Sequence, residues 1–145
     1  MTVAAVLVWQ AAATDGVAEP RRQTAPSIAG AWRVETAPHR LTACVVRGAA
    51  TVTAGQGGGF DVRIQVKETC PQGDDTIADE QCRADVSDER VVVHCTLVRA
   101  TTDTYIADGF QLVRRGDDMM VGRLVDAGIW NEPVTWRRAA PALVS

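Results

Sequence analysis

Lysine, tyrosine, phenylalanine and histidine are scarce in this chain. Its 145 residues include one Lys, one Tyr, two Phe and two His, so almost all of the 15 basic residues are Arg. We interpret the excess of Arg as the codon usage of a GC-rich, bacterial genome. With a formal net charge of -3 and a pI near 5.3, the chain has no basic field for nucleic-acid phosphates. We therefore expect no nucleic-acid partner.

The chain also lacks an apolar run of the roughly 20 residues that a membrane-spanning helix needs. Its one sustained apolar run covers residues 3–13 and is typical of a secretory signal, with small residues at 11–13 that a signal peptidase reads. No positive charge precedes Arg21, and the alternative is a buried N-terminal strand or helix. We predict a signal segment at 1–13, a flexible lead-in at 14–27, a folded domain at 28–139 and a tail at 140–145. No membrane span would remain after removal of the leader.

The Cys-x-x-Cys spacing of zinc sites is absent as well. An even number of cysteines in a small chain with a leader favours two disulfides and a periplasmic or secreted protein. We expect no metal and no cofactor. The four cysteines are Cys44, Cys70, Cys82 and Cys95.

The spacing of the cysteines suggests how they pair. Residues 81–86 and 90–98 form a predicted hairpin around a polar turn at 87–89. If Val86 pairs with Val91, Cys82 falls directly opposite Cys95, close enough to bond after modest adjustment. That pattern leaves Cys44 with Cys70 and is the one we prefer. The rival pattern joins Cys70 to Cys82 and Cys44 to Cys95.

Beyond Ser27 the apolar residues recur with a period of two, which indicates half-buried antiparallel strands. The clearest strand covers residues 60–67, and a hairpin about Gly116-Asp117 would place Leu112 opposite Val121. Further strands are predicted at 28–36, 41–47, 50–54, 81–86, 90–98, 105–114, 119–126 and 133–138. Because a meander of eight or nine short strands must close or pair its edges, we predict an all-β barrel. A two-sheet sandwich is the alternative.

Three short stretches resemble the lipocalin-like (calycin) barrels. Gly-Ala-Trp at residues 30–32 is similar to the Gly-x-Trp that opens the first strand of that superfamily. Thr-Asp-Thr-Tyr at 102–105 resembles its Thr-Asp-Tyr turn, and Trp-Arg-Arg at 136–138 ends the last strand where those barrels place an Arg. Avidin-like barrels and the small bacterial inhibitors of secreted metalloproteases share the compact size and the Gly-x-Trp start.

The resemblance implies a set of residues that close the barrel: Gly30, Trp32, Asp103 and Arg138. In such barrels the Arg of the last strand packs over the Trp of the first strand. A guanidinium on an indole gains about 0.5–2 kcal/mol from cation–π and stacking contact. Arg138, or Arg137 beside it, would therefore cap Trp32.

Residue types that carry catalysis are few. The three serines lie near the chain ends or in a turn, and we expect the side chains of His39 and His94 to be solvated or structurally hydrogen-bonded. The acidic loop at 71–80 lacks the spacing of a calcium-binding EF-hand. We expect no catalytic residues and no enzyme activity.

Binding is the function that remains. The loop at 127–132 contains Ile129 and Trp130, which either form an exposed contact patch or flap at the barrel mouth or fold back over the core. With Tyr105 and Phe60 they are predicted to wall a site for a small apolar molecule in the barrel interior or mouth. The alternative is a protein-interaction module or protease inhibitor that uses residues 14–27 or the Trp130 loop against a partner protein.

Overall fold

The computed structural model describes residues 27–126 and 130–140, and this part of the chain folds into one closed antiparallel β-barrel. Each strand pairs with the next along the chain, and the first pairs with the last. The predicted all-β meander is confirmed, with eight strands. In chain order they are β1 (Gly30–Thr36), β2 (Val45–Ala54), β3 (Phe60–Thr69), β4 (Thr76–Ser87), β5 (Arg90–Ala100), β6 (Gly109–Arg114), β7 (Met119–Val125) and β8 (Asn131–Arg138).

Helix is almost absent from the described ranges. Between β2 and β3 the chain makes a single 3-10 turn, Gln56–Gly58. The part of the chain that the structure describes contains no helix long and apolar enough to cross a membrane.

The alternating pattern decides which residues face the barrel interior. In β3, Val62, Ile64 and Val66 are buried, whereas the residues between them are exposed. Large side chains fill the interior, as an eight-stranded barrel permits, and Phe110 meets Trp136 edge-on with 5.1 Å between ring centroids. The largest of these, each at most 2% exposed, are Trp32, Phe110, Met120, Leu124 and Trp136.

The barrel has two unlike ends. The β2–β3, β4–β5 and β6–β7 connections lie at one end, together with the start of β1 and the end of β8. We call this the closed end. The β1–β2, β3–β4, β5–β6 and β7–β8 connections lie at the opposite end, which we call the mouth.

An indole and a guanidinium seal the closed end. Trp32 donates from Nε1 to the carbonyl oxygen of Ile28 at 2.8 Å, and the guanidinium carbon of Arg138 lies 4.4 Å from the Trp32 ring centroid. Arg138 also donates to the carbonyl oxygens of Ala29 at 2.7 Å and Ser27 at 3.1 Å. One side chain on β8 therefore fixes both the first-strand Trp and the chain that leads into it.

Gly30 is required at this end for two reasons. Its φ of +130° lies in a region that side-chain-bearing residues rarely adopt. A Cβ atom at this position would also stand only 2.8 Å from Nη1 of Arg138. A larger residue would displace the guanidinium from its place over Trp32.

Both disulfides follow the preferred pattern, which is confirmed. Cys82 lies directly opposite Cys95 in the β4–β5 ladder, and the two are bonded. Cys44 is bonded to Cys70 one step beyond the last β2–β3 pair. Two disulfides are typical of proteins in a non-reducing compartment.

Several strand boundaries differ from the prediction. The two short strands predicted at 41–47 and 50–54 are one strand, β2, and the first strand begins at Gly30. β4 begins at Thr76, within the stretch predicted as an acidic loop, and β6 begins only at Gly109. Residues 101–108 turn at the mouth instead of continuing the ladder, so Tyr105 belongs to a loop.

The predicted β6–β7 register was wrong by one residue. Leu112 lies opposite Gly122 and not Val121, because the chain turns through three residues: Arg115 donates from its backbone nitrogen to the carbonyl oxygen of Met119 at 2.8 Å. A slip of one residue exchanges the two faces of a strand. It is Met120 and Leu124 of β7 that are buried.

Substitution of Trp32 by Ala should lower the free energy of unfolding by about 3–5 kcal/mol, because a buried indole and its contacts are lost. Trp32→Phe is the control: it keeps a ring under Arg138 but loses the hydrogen bond to Ile28, so its loss should be smaller. Denaturant titration measures both. A loss below about 1 kcal/mol for the Ala variant would contradict this account of the closed end.

Digestion of the protein without reductant should yield one linked peptide pair containing Cys44 and Cys70 and another containing Cys82 and Cys95. Replacement of Cys82 and Cys95 by Ala should lower the free energy of unfolding by about 2–4 kcal/mol, because a short loop is no longer closed in the unfolded chain. Peptides that link Cys70 to Cys82 would disprove the pairing.

Candidate functional site at the barrel mouth

The structure divides the predicted contact residues between the two ends of the barrel. Phe60 is half-buried at the start of β3, at the closed end. Tyr105 and Trp130 line one depression at the mouth. Ile129 lies outside the described residues. Of the four, the structure thus brings together Tyr105 and Trp130.

The residues expected to close the barrel are divided in the same way. Gly30, Trp32 and Arg138 meet at the closed end. Asp103 is exposed in the β5–β6 loop, at the mouth, and so does not take part in the contact between Trp32 and Arg138.

For Trp130 the structure agrees with the prediction in which the side chain covers the end of the core, while residues 127–129 of the loop lie outside the described residues. Trp130 is 9% exposed, and its ring centroid lies 4.7 Å from that of His39. Its backbone nitrogen donates to Oδ1 of Asp126 at 3.0 Å. The indole therefore covers the end of the core and does not stand out as a contact patch.

His39 supports the mouth structurally. It is 4% exposed, and its Nδ1 accepts hydrogen bonds from the backbone nitrogens of Leu41 at 3.2 Å and Thr42 at 3.3 Å. The ring thereby holds the turn between β1 and β2. His94 is exposed on β5.

A pocket of about 360 Å³ lies at the mouth, open to solvent. We call it the mouth pocket. Among the described residues, its lining has two aromatic residues, one aliphatic residue, three threonines and four carboxylic acids, and no Lys or Arg. These residues are Glu68, Asp74, Thr76, Thr102, Thr104, Tyr105, Ile106, Asp108, Asp126 and Trp130.

Two buried carboxyl groups lie next to each other at the mouth pocket. Asp108 belongs to the floor of the pocket, and Glu80 lies behind Asp108. Asp108 is 5% exposed and Glu80 is 3% exposed. Oε1 of Glu80 accepts a hydrogen bond from the backbone nitrogen of Asp108 at 2.7 Å. The hydroxyl of Tyr105 donates to Oδ2 of Asp108 at 2.6 Å. These contacts connect β4 with the β5–β6 loop and fix the ring of Tyr105 at the wall.

The two carboxyl groups share one proton. Burial, and next the negative charge of Asp108, raise the pKa of Glu80 to about 9, and burial also raises the pKa of Asp108. Oε2 of Glu80 accepts no hydrogen bond from the described residues. At neutral pH Glu80 is therefore protonated, next to the Asp108 carboxyl group.

Glu68 adds a third carboxyl group at the rim. It follows Val66 on the inward face of β3 and is half-buried. Burial raises its pKa, and the charges of Asp108 and Asp126 act in the same direction while His39 opposes them. Glu68 lies close to the sulfurs of Cys44 and Cys70, but those sulfurs are bonded to each other and cannot bind a metal.

Sequence reasoning missed Glu80, Asp108 and Glu68 as site residues. It assigned Glu80 to an exposed loop, although Glu80 has the same parity as Cys82 and so an inward position on the strand. A carboxyl group at an inward position of a period-two pattern was the signal that could have found it. No comparable local signal marks Asp108, because its partner is 28 positions away.

Comparison with known proteins establishes the architecture. No protein-family model matches the chain, and no curated protein matches it. Among solved structures it is similar to a redesigned β-barrel, mFAP1, bound to DFHBI (TM-score 0.57, 13% identity, 77% of this chain and 94% of that chain). It is also similar to a de novo designed fluorescence-activating β-barrel (TM-score 0.55, 13% identity, 77% of this chain and 93% of that chain).

The chain is a small closed β-barrel. At 13% identity the likeness to the designed barrels concerns the fold alone. This likeness does not show that the chain is a lipocalin or a calycin.

Substitution of Glu80 by Gln should flatten the pH dependence of stability. Because the pKa rises from 4.5 in the unfolded chain to about 9 in the barrel, the contribution of Glu80 is fully present below about pH 4.5 and is lost as the pH rises through about 9. The slope for one group is at most about 1.4 kcal/mol per pH unit. The amide of Gln is neutral, as the protonated acid is.

Denaturant titrations at about pH 5 and about pH 8 test this expectation. The wild-type barrel should lose more stability between the two than the Glu80→Gln variant. Glu89→Gln, in an exposed turn at the closed end, removes the same charge and should keep the wild-type dependence. An unchanged dependence in Glu80→Gln would refute the protonated carboxyl pair.

Proposed function

We propose that this protein is an exported, non-catalytic binding protein that holds a small molecule at the mouth of its barrel. The observation that carries the proposal is the mouth pocket, with Tyr105 and Trp130 in its walls and Asp108 at its floor. Ligand sites in proteins are commonly concave, with apolar and aromatic walls and a few fixed polar groups. The mouth pocket has this composition.

The proposed site is the mouth and not the interior. Trp32, Phe110 and Trp136 occupy the interior and are almost completely buried, so a ligand there would have to displace packed side chains. The carboxyl groups of the mouth pocket also make its lining more polar than the wholly apolar site expected from the sequence.

The designed neighbours lend support of a limited kind. The mFAP1 barrel is bound to DFHBI, so a barrel of this architecture can carry a small molecule. Its ligand and binding mode are properties of that design. For the present chain the proposal depends on its own mouth pocket.

The proposal also covers the type of barrel and the compartment in which the protein is located. We propose that the barrel is lipocalin-like, supported by the contact of Arg138 with Trp32 between the last and first strands. We also propose periplasmic or secreted localisation, supported by the two disulfides and by the apolar segment at 3–13. That segment, and residues 14–26 of the lead-in, lie outside the described residues.

A partner protein is less well supported as the target. Trp130, the side chain that would anchor such a partner, is buried against His39. Anchors of protein interfaces are side chains that a partner can reach and desolvate.

Proton–nitrogen NMR tests the proposed site through the indole Nε1 signals. A library of small aromatic fragments, neutral, anionic and cationic, should contain members that shift the Trp130 signal while those of Trp32 and Trp136 stay in place. Tyr105→Ala should weaken such binding roughly tenfold, because one wall is lost. Leu41→Ala, at the same end but outside the mouth pocket and 87% exposed, should leave it unchanged. If no fragment shifts Trp130 at millimolar concentration, the proposal is wrong.

A further inference from the structure

We infer that the ligand of the mouth pocket is an organic cation, with a protonated amine or a similar group directed at the carboxyl groups around Asp108. This assignment rests on the proposed function and specifies its class of ligand. Three features support it: the charges of the lining, a buried atom behind the lining, and the distances between the carboxyl groups.

The charges of the mouth pocket are of one sign. Of the ten described residues that line it, four are carboxylic acids and none is Lys or Arg. Arg40, in the adjacent β1–β2 turn, forms an ion pair with Glu132. Lys67 forms one with Asp75. Neither of these cations lines the pocket, so a ligand that enters it meets acidic groups and, among the described lining residues, no Lys or Arg.

A buried carboxyl oxygen of Glu80, behind the pocket, indicates where a positive charge is needed. Oε2 of Glu80 has no hydrogen-bond partner among the described residues, although Glu80 is 3% exposed. Its carboxyl group faces Asp108, which forms the pocket floor. Two adjacent buried carboxyl groups require one positive charge between them, and a proton supplies it when no ligand is bound. A cationic group above Asp108 would provide a second source of that charge.

The separations of the acids favour an organic cation over a metal ion. In residues 27–126 and 130–140, no three carboxyl groups of the mouth bring one oxygen each within 4.8 Å of one another. Calcium binds six to eight oxygens at roughly 2.3–2.6 Å, which requires closer convergence. An ammonium group on a carbon skeleton needs fewer oxygens, and its skeleton and charge can lie against the rings of Tyr105 and Trp130.

Three probes of similar shape and different charge test the inference: 2-phenylethylamine, 2-phenylethanol and 3-phenylpropionate. Each is titrated into the full, oxidised protein, and the indole signals of Trp130, Trp32 and Trp136 are followed. We expect the amine to shift Trp130 selectively and to bind at least roughly tenfold more tightly than the alcohol or the carboxylate. Calcium chloride titrated alone provides the comparison with a metal ion.

Variants that each lack one carboxyl group test whether the acids of the mouth pocket bind the positive charge of the amine. Glu68→Gln and, independently, Asp74→Asn should weaken binding of the amine roughly three- to tenfold and leave binding of the alcohol unchanged. Glu89→Gln removes the same charge in a turn at the closed end and should have no effect. Asp74 is exposed, so its variant keeps the test valid if Glu68→Gln disturbs folding.

The outcomes separate this inference from the function on which it rests. If the alcohol or the carboxylate binds as tightly as the amine, or if both acid variants bind the amine as the wild type does, the cationic ligand is refuted while the binding site stands. Calcium that shifts Trp130 at lower concentrations than the amine would replace the organic cation with a metal. If none of the probes binds and the fragments that shift Trp130 are neutral or anionic, only the inference fails, whereas selective binding of cationic fragments would uphold it. If neither binds, the proposed function fails too.

Discussion

Pairing of β1 with β8 is the constraint on which the rest of the structure depends. Five residue pairs, from Trp32 opposite Arg138 to Thr36 opposite Val134, join the first strand to the last. Without them the meander would expose the edges of two strands and a row of unpaired backbone groups. With them, every inward position faces a common interior, and the large side chains there can pack. Arg138 stabilises this pairing further because its side chain contacts the indole of Trp32 and the backbone that precedes β1.

The two ends of the barrel hold ionisable groups of opposite sign. At the closed end, one guanidinium is matched by carbonyl oxygens, by the Trp32 ring and, at 3.9 Å, by Asp118. At the mouth, Glu80 and Asp108 are buried together, and a proton takes the place of a basic side chain. A guanidinium cannot lose its charge in a protein, whereas a carboxyl pair can change its protonation. The carboxyl pair at the mouth can therefore change its charge with pH or on binding a charged ligand.

The sequence predicted those parts of the fold that follow from local periodicity. The inward face of β3 and the opposition of Cys82 to Cys95 came from alternation and from counting residues across one turn. The same method failed by one residue at Leu112, because the register there depends on a three-residue turn that the Gly-Asp pair did not specify. The contacts of Asp108 with Tyr105 and with Glu80 could not be predicted by counting residues. They require the β5–β6 loop to leave the ladder and fold over β4.

Glu80 is a carboxylic acid at an inward position, where the packing of an eight-stranded barrel favours an apolar side chain. The inward positions on either side of it, Ala78 and Cys82, are apolar and buried. A carboxyl group between them is neutral only because its pKa is raised, and burying it costs more than burying an apolar residue of the same volume. Departures of this kind concentrate at functional sites, where chemistry and not packing determines the residue. Glu80 contacts Asp108, which lines the mouth pocket, so the proposed binding site would account for a carboxyl group at this interior position.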